Sequence, residues 1–200
     1  EKVLSGASLA GQIQYIMTQS LFGLSTGATV LTALYWGKGD RRTIEKILAL
    51  GIKASLMVTA VFMIAALTVP GLLMKIFTND PQVIAEGVKY LRIVAWSYIL
   101  IGITQVYLYT MRSVERVMIA TVVYLCSLIC NIILNSVFIF GLLGFPAMGI
   151  QGAALATLIS RCLELLLVFL YARFYNREIR VRARYLLHTE KVLIRDFLVY

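Results

Sequence analysis

From Val117 to Ser160 the chain carries no charged residue. As one α-helix, about 44 residues would extend roughly 66 Å, more than twice the ~30 Å hydrocarbon core of a bilayer. The segment therefore has to cross twice. The break lies in Gly141-Leu142-Leu143-Gly144-Phe145-Pro146-Ala147-Met148-Gly149, where glycines and a proline interrupt apolar flanks. This predicts a helical hairpin with spans at about Val117–Phe140 and Ile150–Ala172. Three more apolar stretches predict spans at about Ser8–Trp36, Ile44–Val69 and Glu86–Met111. They are separated by Gly37-Lys38-Gly39-Asp40-Arg41-Arg42, by Pro70-Gly71 with Ile76-Phe77-Thr78-Asn79-Asp80-Pro81, and by Arg112-Ser113-Val114-Glu115-Arg116. Asp80 suits a helix N-cap and Pro81 a first helical position. The expected fold class is an all-α integral membrane protein with five transmembrane helices. Residues 173–200 form a basic segment whose end, Lys191 to Tyr200, reads as the first turns of another span. With no initiator Met and such abrupt ends, the chain is expected to be a piece of a longer protein.

Five crossings alternate sides, which makes loop charge a test of orientation. The loops after the first, third and fifth spans carry Lys38, Arg41, Arg42, Lys46, Lys53, Arg112, Arg116, Arg173, Arg177, Arg180, Arg182, Arg184, Lys191 and Arg195. The other side has Lys2, Lys75, Lys89 and Arg92. This asymmetry assigns the first group to the cytoplasm, and with it a multi-pass position in a plasma membrane, the inner membrane if the source is bacterial. Asn131 and Asn135 then lie in the outer half of the bilayer.

Composition agrees: 60% of residues are hydrophobic and 14% charged, outside the range of a soluble domain. The net charge of +9 does not point to nucleic acid, because the cations sit between apolar spans rather than on one basic face with interleaved aromatics. Cys126, Cys130 and Cys162 all fall in spans and read as apolar burial rather than as a disulfide or metal set. His188 sits in the basic segment and reads as a solvated residue. No HExxH, Walker loop, GxSxG, CxxC or paired carboxylate appears in the spans, so the chain is not expected to be an enzyme or to hold a cofactor.

At 100° per residue, polar positions gather into stripes. On the fourth span these are Thr121, Tyr124, Ser127, Asn131 and Asn135, with the cysteines on the other side. On the first they are Ser8, Gln12, Tyr15, Gln19, Gly23 and Thr26, and on the third Tyr98, Gln105, Tyr109 and Arg112. Such groups at membrane depth need partners. They are read as lining one cavity, with interhelical hydrogen bonding as the alternative. On the fifth span Gly149, Gly152, Ala153, Ala154 and Ala156 read as a close-packing surface, as do Gly23 and Gly27 on the first. Thr157, Arg161 and Glu164 share one face, and the i,i+3 spacing of Arg161 and Glu164 suits an ion pair that locks or gates the bundle.

The chain resembles the multidrug and toxic compound extrusion transporters. The resemblance is carried by Tyr35-Trp36-Gly37-Lys38-Gly39-Asp40, by Phe77-Thr78-Asn79-Asp80-Pro81 with Tyr90-Leu91-Arg92-Ile93, and by Met111-Arg112-Ser113. It continues in Asn131-Ile132-Ile133-Leu134-Asn135 and in Phe140-Gly141 through Phe145-Pro146 to Gly149-Ile150-Gln151-Gly152-Ala153-Ala154-Leu155-Ala156-Thr157. It implies that residues 1–172 are helices two to six of the amino-terminal lobe of a twelve-helix, two-lobed antiporter. Residues 173–200 would then be the cytoplasmic inter-lobe linker and the start of the next helix. The implied activity is exchange of inward-moving Na⁺ or H⁺ for exported lipophilic, often cationic drugs. The implied cation-site positions are Asn131, Asn135 and Thr157, with Asn135 standing where the family has an Asp, which removes a negative charge and a titrating group. The implied partners are small-molecule drugs or organic cations, the bilayer and a second lobe of the same protein. A lipid-linked sugar flippase of the same superfamily is the alternative, and a non-transporting membrane interaction subunit is the alternative of another class.

Overall fold

The computed structural model describes residues 2–144, 146–176, 178–181 and 185. Helix α1 runs Lys2–Gly37, α2 Arg41–Thr68, α3 Pro70–Lys75, α4 Pro81–Val94, α5 Ser97–Ser113, α6 Val117–Phe140 and α7 Ile150–Leu170. A 3₁₀ turn, Leu142–Gly144, sits between α6 and α7, and a π turn, Tyr171–Tyr175, prolongs α7. No strand occurs among the described residues. The expected linker and next span at residues 182–184 and 186–200, with His188, lie outside the described residues.

The expected third span is two helices, α4 and α5, bent by 55°. Neither glycine nor proline causes the bend. Tyr98 N–H donates to Ala95 O at 3.1 Å, and Ser97 Oγ donates to Val94 O at 2.6 Å. The serine thus satisfies the carbonyl that a continuous helix would have paired with Tyr98, a common way for a hydroxyl to bend a helix. Among the described residues, three helices are long and apolar enough to cross a membrane: α2, α6 and α7 with its π turn. The bent pair makes four if it is one span. The first expected span, α1, has the length but not the apolar content. It accommodates its polar residues internally, with Thr18 Oγ1 donating to Gln14 O and Thr26 Oγ1 to Phe22 O, both at 2.8 Å.

Helix α1 packs on α2, α4 and α5, while α7 packs on α4, α5 and α6. The core holds a small cluster of Ala28, Leu31 and Ile47 and two larger ones. One joins Ile44, Leu48, Tyr107, Leu108, Met111 and Val168, and the other joins Ala10, Met17, Leu21, Leu91, Tyr98 and Ile101. α6 buries only Ala120, Val123, Ser127 and Val137, leaving Leu125, Ile129, Ile132 and Ile133 turned outward. Cys126 and Cys162 are also exposed and Cys130 is half-buried, so the cysteines face away from the protein core rather than into it. In the expected packing motif of α1, Gly23 meets nothing within 4 Å and Gly27 is buried; α1 approaches α4 closely at Gly6, and the tightest backbone approach is outside α1. It lies in the hairpin, where a Cβ on Gly152 would come within 2.6 Å of Phe138 O. Gly141 ends α6 with φ +71°, a left-handed cap that glycine adopts without cost.

The two ends of the bundle are pinned by ions. At one end Glu178 Oε2 lies 2.9 Å from Arg116 Nη2, Glu178 Oε1 lies 3.8 Å from Arg41 Nη2, and Arg180 N–H donates to Glu45 Oε1 at 2.9 Å. Segments after α1, α5 and α7 therefore meet at one end, as the charge alternation requires. Here Asp40 caps α2, and the Thr43 hydroxyl, 2.6 Å from Oδ2, holds its carboxyl below the usual range. At the opposite end Asp80 caps α4 and pairs with Lys2 at 3.1 Å. The Gln82 N–H, with Lys2 second, lowers the Asp80 pKa.

Candidate functional site

Where α1, α4, α6 and α7 come together they leave a cleft of about 630 Å³. From α6 it takes Tyr124, Ser127, Leu128 and Asn131, from α7 Thr157, Ser160 and Arg161, from α4 Tyr90, and from α1 Gly11, Gln14, Tyr15 and Thr18. An adjoining cleft of about 370 Å³ shares Gln14, Thr18, Tyr124 and Arg161 and adds Ile101, Gln105, Tyr109, Arg112 and Glu164.

Helical spacing explains the convergence. Tyr124, Ser127 and Asn131 recur at three and four residues, as do Thr157, Ser160, Arg161 and Glu164, so each set shares one face. Because Gly152 lets the two backbones close on each other, these faces meet. Ser127 Oγ lies 3.3 Å from both Ser160 O and Glu164 Oε2. Arg161 Nη1 donates to Glu164 Oε2 at 2.6 Å, and the Glu164 side chain is 2% exposed. This carboxylate is thus desolvated and held by a guanidinium and a hydroxyl. Arg112 lies over two rings, 5.4 Å from the centre of Tyr109 and 5.6 Å from that of Tyr124. It forms no ion pair among the described residues. Its charge lies against aromatic faces, with Glu164 lining the same cleft.

The three expected cation ligands are placed unequally. Asn131 and Thr157 line the same cleft, whereas Asn135 reaches it through Asn131, donating from Nδ2 to Asn131 Oδ1 at 2.9 Å. Asn135 Oδ1 is buried with no donor among the described residues. Thr157 Oγ1 donates to Ala153 O at 3.0 Å, a bond that does not use its lone pairs. These are neutral hard oxygens, a donor type suited to Na⁺ rather than to soft metals. No group of three or more His, Cys, Asp or Glu able to hold a metal occurs among the described residues.

Of the expected cavity-lining residues, Tyr124 and Ser127 line the first cleft and Gln105 and Tyr109 the second. Gln12, Gln19 and Thr26 are exposed on another face of α1 and line neither cleft. Tyr98 is fully buried in the core, its hydroxyl unpartnered. The residues of α1 that do line the clefts are Gly11, Gln14, Tyr15 and Thr18, of which the expected stripe held Tyr15 alone.

An all-helical arrangement with a polar cleft between apolar helices defines a multi-pass membrane fold. The MatE family model matches residues 1–137, and the chain belongs to that family. It is 29% identical over 161 residues to a probable multidrug resistance protein NorM of Thermotoga maritima, covering 80% of this chain and 34% of that relative. The corresponding protein of Rhizobium meliloti is 29% identical over 160 residues, covering 78% and 33%. The chain therefore spans about a third of the curated relatives it matches. Among solved structures, MATE in the bent conformation aligns with a TM-score of 0.88 at 20% identity, over 99% of this chain and 43% of that one. A MOP superfamily transporter of Pyrococcus furiosus aligns with a TM-score of 0.86 at 18% identity, over 99% and 43%.

Proposed function

We propose that the chain forms most of the first lobe of a two-lobed multidrug exporter that couples inward movement of Na⁺ or H⁺ to drug export by alternating access. The supporting observation is the convergence of Asn131, Thr157, Ser127, Tyr124 and Arg161 on one cleft in an otherwise apolar bundle. Uncompensated polar groups at membrane depth are costly, so their collection around open space suits a solute pathway better than packing. Asn131 and Thr157, with Asn135 behind them, offer oxygens to the coupling cation. The tyrosine rings offer faces to a lipophilic, often cationic drug. A cation bound here favours one arrangement of the lobes and drug favours the other, which is what exchange requires. Residues 173–200 would join the lobes on the cytoplasmic side.

The second reading, a flippase for a lipid-linked sugar, is favoured by one observation. Arg112 and Arg161 both line the second cleft, and Glu164 neutralises only one of them. A phosphate-bearing headgroup would use the remaining charge.

Efflux of a fluorescent lipophilic cation from sealed vesicles holding the complete parent protein tests both readings. Gradient-driven efflux that is lost in Asn131→Ala at unchanged expression supports the exporter and its cleft. Efflux untouched by the substitution moves the site to the other lobe, and no efflux under either a Na⁺ or a pH gradient favours the flippase.

A further inference from the structure

A separate cavity of about 700 Å³ opens where α2, α5 and α7 meet the chain that leaves the π turn. None of its lining residues belongs to the polar clefts. Its walls are apolar, formed in part by Ile103 on α5, Leu165 and Phe169 on α7, and Phe174. Its polar groups are unevenly committed. Asn176 is buried and spent, its Nδ2 donating to Tyr107 OH at 3.0 Å and its Oδ1 accepting from Ile179 N–H at 3.2 Å. Arg173 and Arg180 are not spent: both are exposed and line the cavity, and neither guanidinium forms an ion pair among the described residues. Arg173 lies over the Phe174 ring at 5.8 Å, and Arg180 is fixed through its backbone N–H on Glu45. Among the described residues, no acidic one lines the cavity.

The position of the two arginines decides what could fill such a space. They follow the apolar α7 directly, at the end of the bundle where Arg41 and Arg116 converge on Glu178. By the charge asymmetry that end is cytoplasmic, so the cavity spans the boundary between acyl chains and headgroups. A free inorganic anion would use the arginines and leave the apolar walls wet. A neutral or zwitterionic lipid would fill the walls and leave the arginines uncompensated. We infer that the cavity is a binding site for an anionic phospholipid of the cytoplasmic leaflet. Its phosphate is held by Arg173 and Arg180, and an acyl chain lies along Ile103, Leu165 and Phe169. Basic pockets between helices at this depth are suited to acidic headgroups.

Native mass spectrometry of the complete parent protein in detergent, titrated with phosphatidylglycerol and separately with phosphatidylcholine, tests the site. The variant Arg173→Gln/Arg180→Gln should bind phosphatidylglycerol about thirtyfold more weakly, from the worth of two surface cations near an acidic lipid. Its phosphatidylcholine adducts and its melting temperature should not change. Arg173→Lys/Arg180→Lys should keep most of the phosphatidylglycerol binding, and Lys75→Gln, at the other end of the molecule, should keep all of it. Equal phosphatidylglycerol binding in the wild type and the glutamine variant would overturn the site. Equal loss of both lipids would reduce it to an unselective apolar cavity. Competition by glycerol phosphate would show a free-anion site instead of a lipid site.

Discussion

Asn135 Nδ2 donates to Asn131 Oδ1 at 2.9 Å, while Asn135 Oδ1 is buried with no donor among the described residues. One acceptor is thereby shared within α6 and the other is left for something outside it. If that something is the coupling cation, Asn135→Asp should raise the cation's affinity, because a carboxylate holds Na⁺ more strongly than a neutral amide oxygen and, unlike it, titrates for H⁺. Efflux by the parent protein in vesicles should then reach half its maximum at a Na⁺ concentration lowered about tenfold, or acquire a pH dependence, a change of roughly 1.4 kcal/mol. Identical Na⁺ and pH profiles in wild type and variant would remove Asn135 from the coupling site.

Glu164 is the acid of the cleft, and Arg161 and Ser127 hold it in place. Removing one member of a buried pair costs more than removing both, because the survivor is left uncompensated. Arg161 is 30% exposed and can partly rehydrate, so the loss should fall below that of a fully buried pair. Glu164→Leu should destabilise the parent protein by about 2 kcal/mol, and Arg161→Met/Glu164→Leu should recover about half of that. Denaturant unfolding in detergent measures both. A double variant less stable than the single would mean that Arg161 has another partner.

Asp80 places a pH dependence at the opposite end of the bundle. Its carboxyl accepts from Gln82 N–H at 2.9 Å and pairs with Lys2, and its pKa lies below the ordinary 3.8. A lowered carboxylate pKa gives stability that is complete above the unfolded value and is lost as pH falls through the folded one. The wild type should therefore melt above Asp80→Ala at neutral pH, with the gap constant down to about pH 4 and shrinking below it. A gap that widened in acid would contradict the assignment.

How much of this was legible depended on whether the cause was local. The α6–α7 hairpin was, because a long uncharged run must break and only Gly141 to Gly149 could break it. So was the Arg161–Glu164 pair, which follows from i,i+3 spacing on one helix. The bend at Ala95-Trp96 was not, since it comes from Ser97 Oγ capturing a carbonyl, and serines sit in straight helices as often. On α1 polar residues occupy nearly every direction, so period alone could not choose Gln14 and Thr18 over Gln12 and Gln19. The choice is made by α6 and α7, more than a hundred residues away in the chain. The contact of Ser127 with Glu164, 37 residues apart, was hidden for the same reason.

Gly152 makes that long-range choice possible. A Cβ there would lie 2.6 Å from Phe138 O and 2.8 Å from Phe138 C, inside any distance a real methyl group keeps. Phe138 O cannot withdraw easily, since it also accepts from Met148 N–H at 2.9 Å across the hairpin turn. Gly152→Ala should therefore push α6 and α7 apart, costing about 2 kcal/mol by analogy with overpacked cores, despite alanine's better helix propensity. Because Ser127 reaches Ser160 and Glu164 across that same seam, the cleft should loosen with it, and efflux should fall together with melting temperature. Gly23→Ala is the control: that position meets nothing within 4 Å, so the substitution should be neutral or slightly stabilising. Equal melting temperatures for Gly152→Ala and Gly23→Ala would show that the hairpin can relax, and that the meeting of the two polar faces does not depend on this glycine.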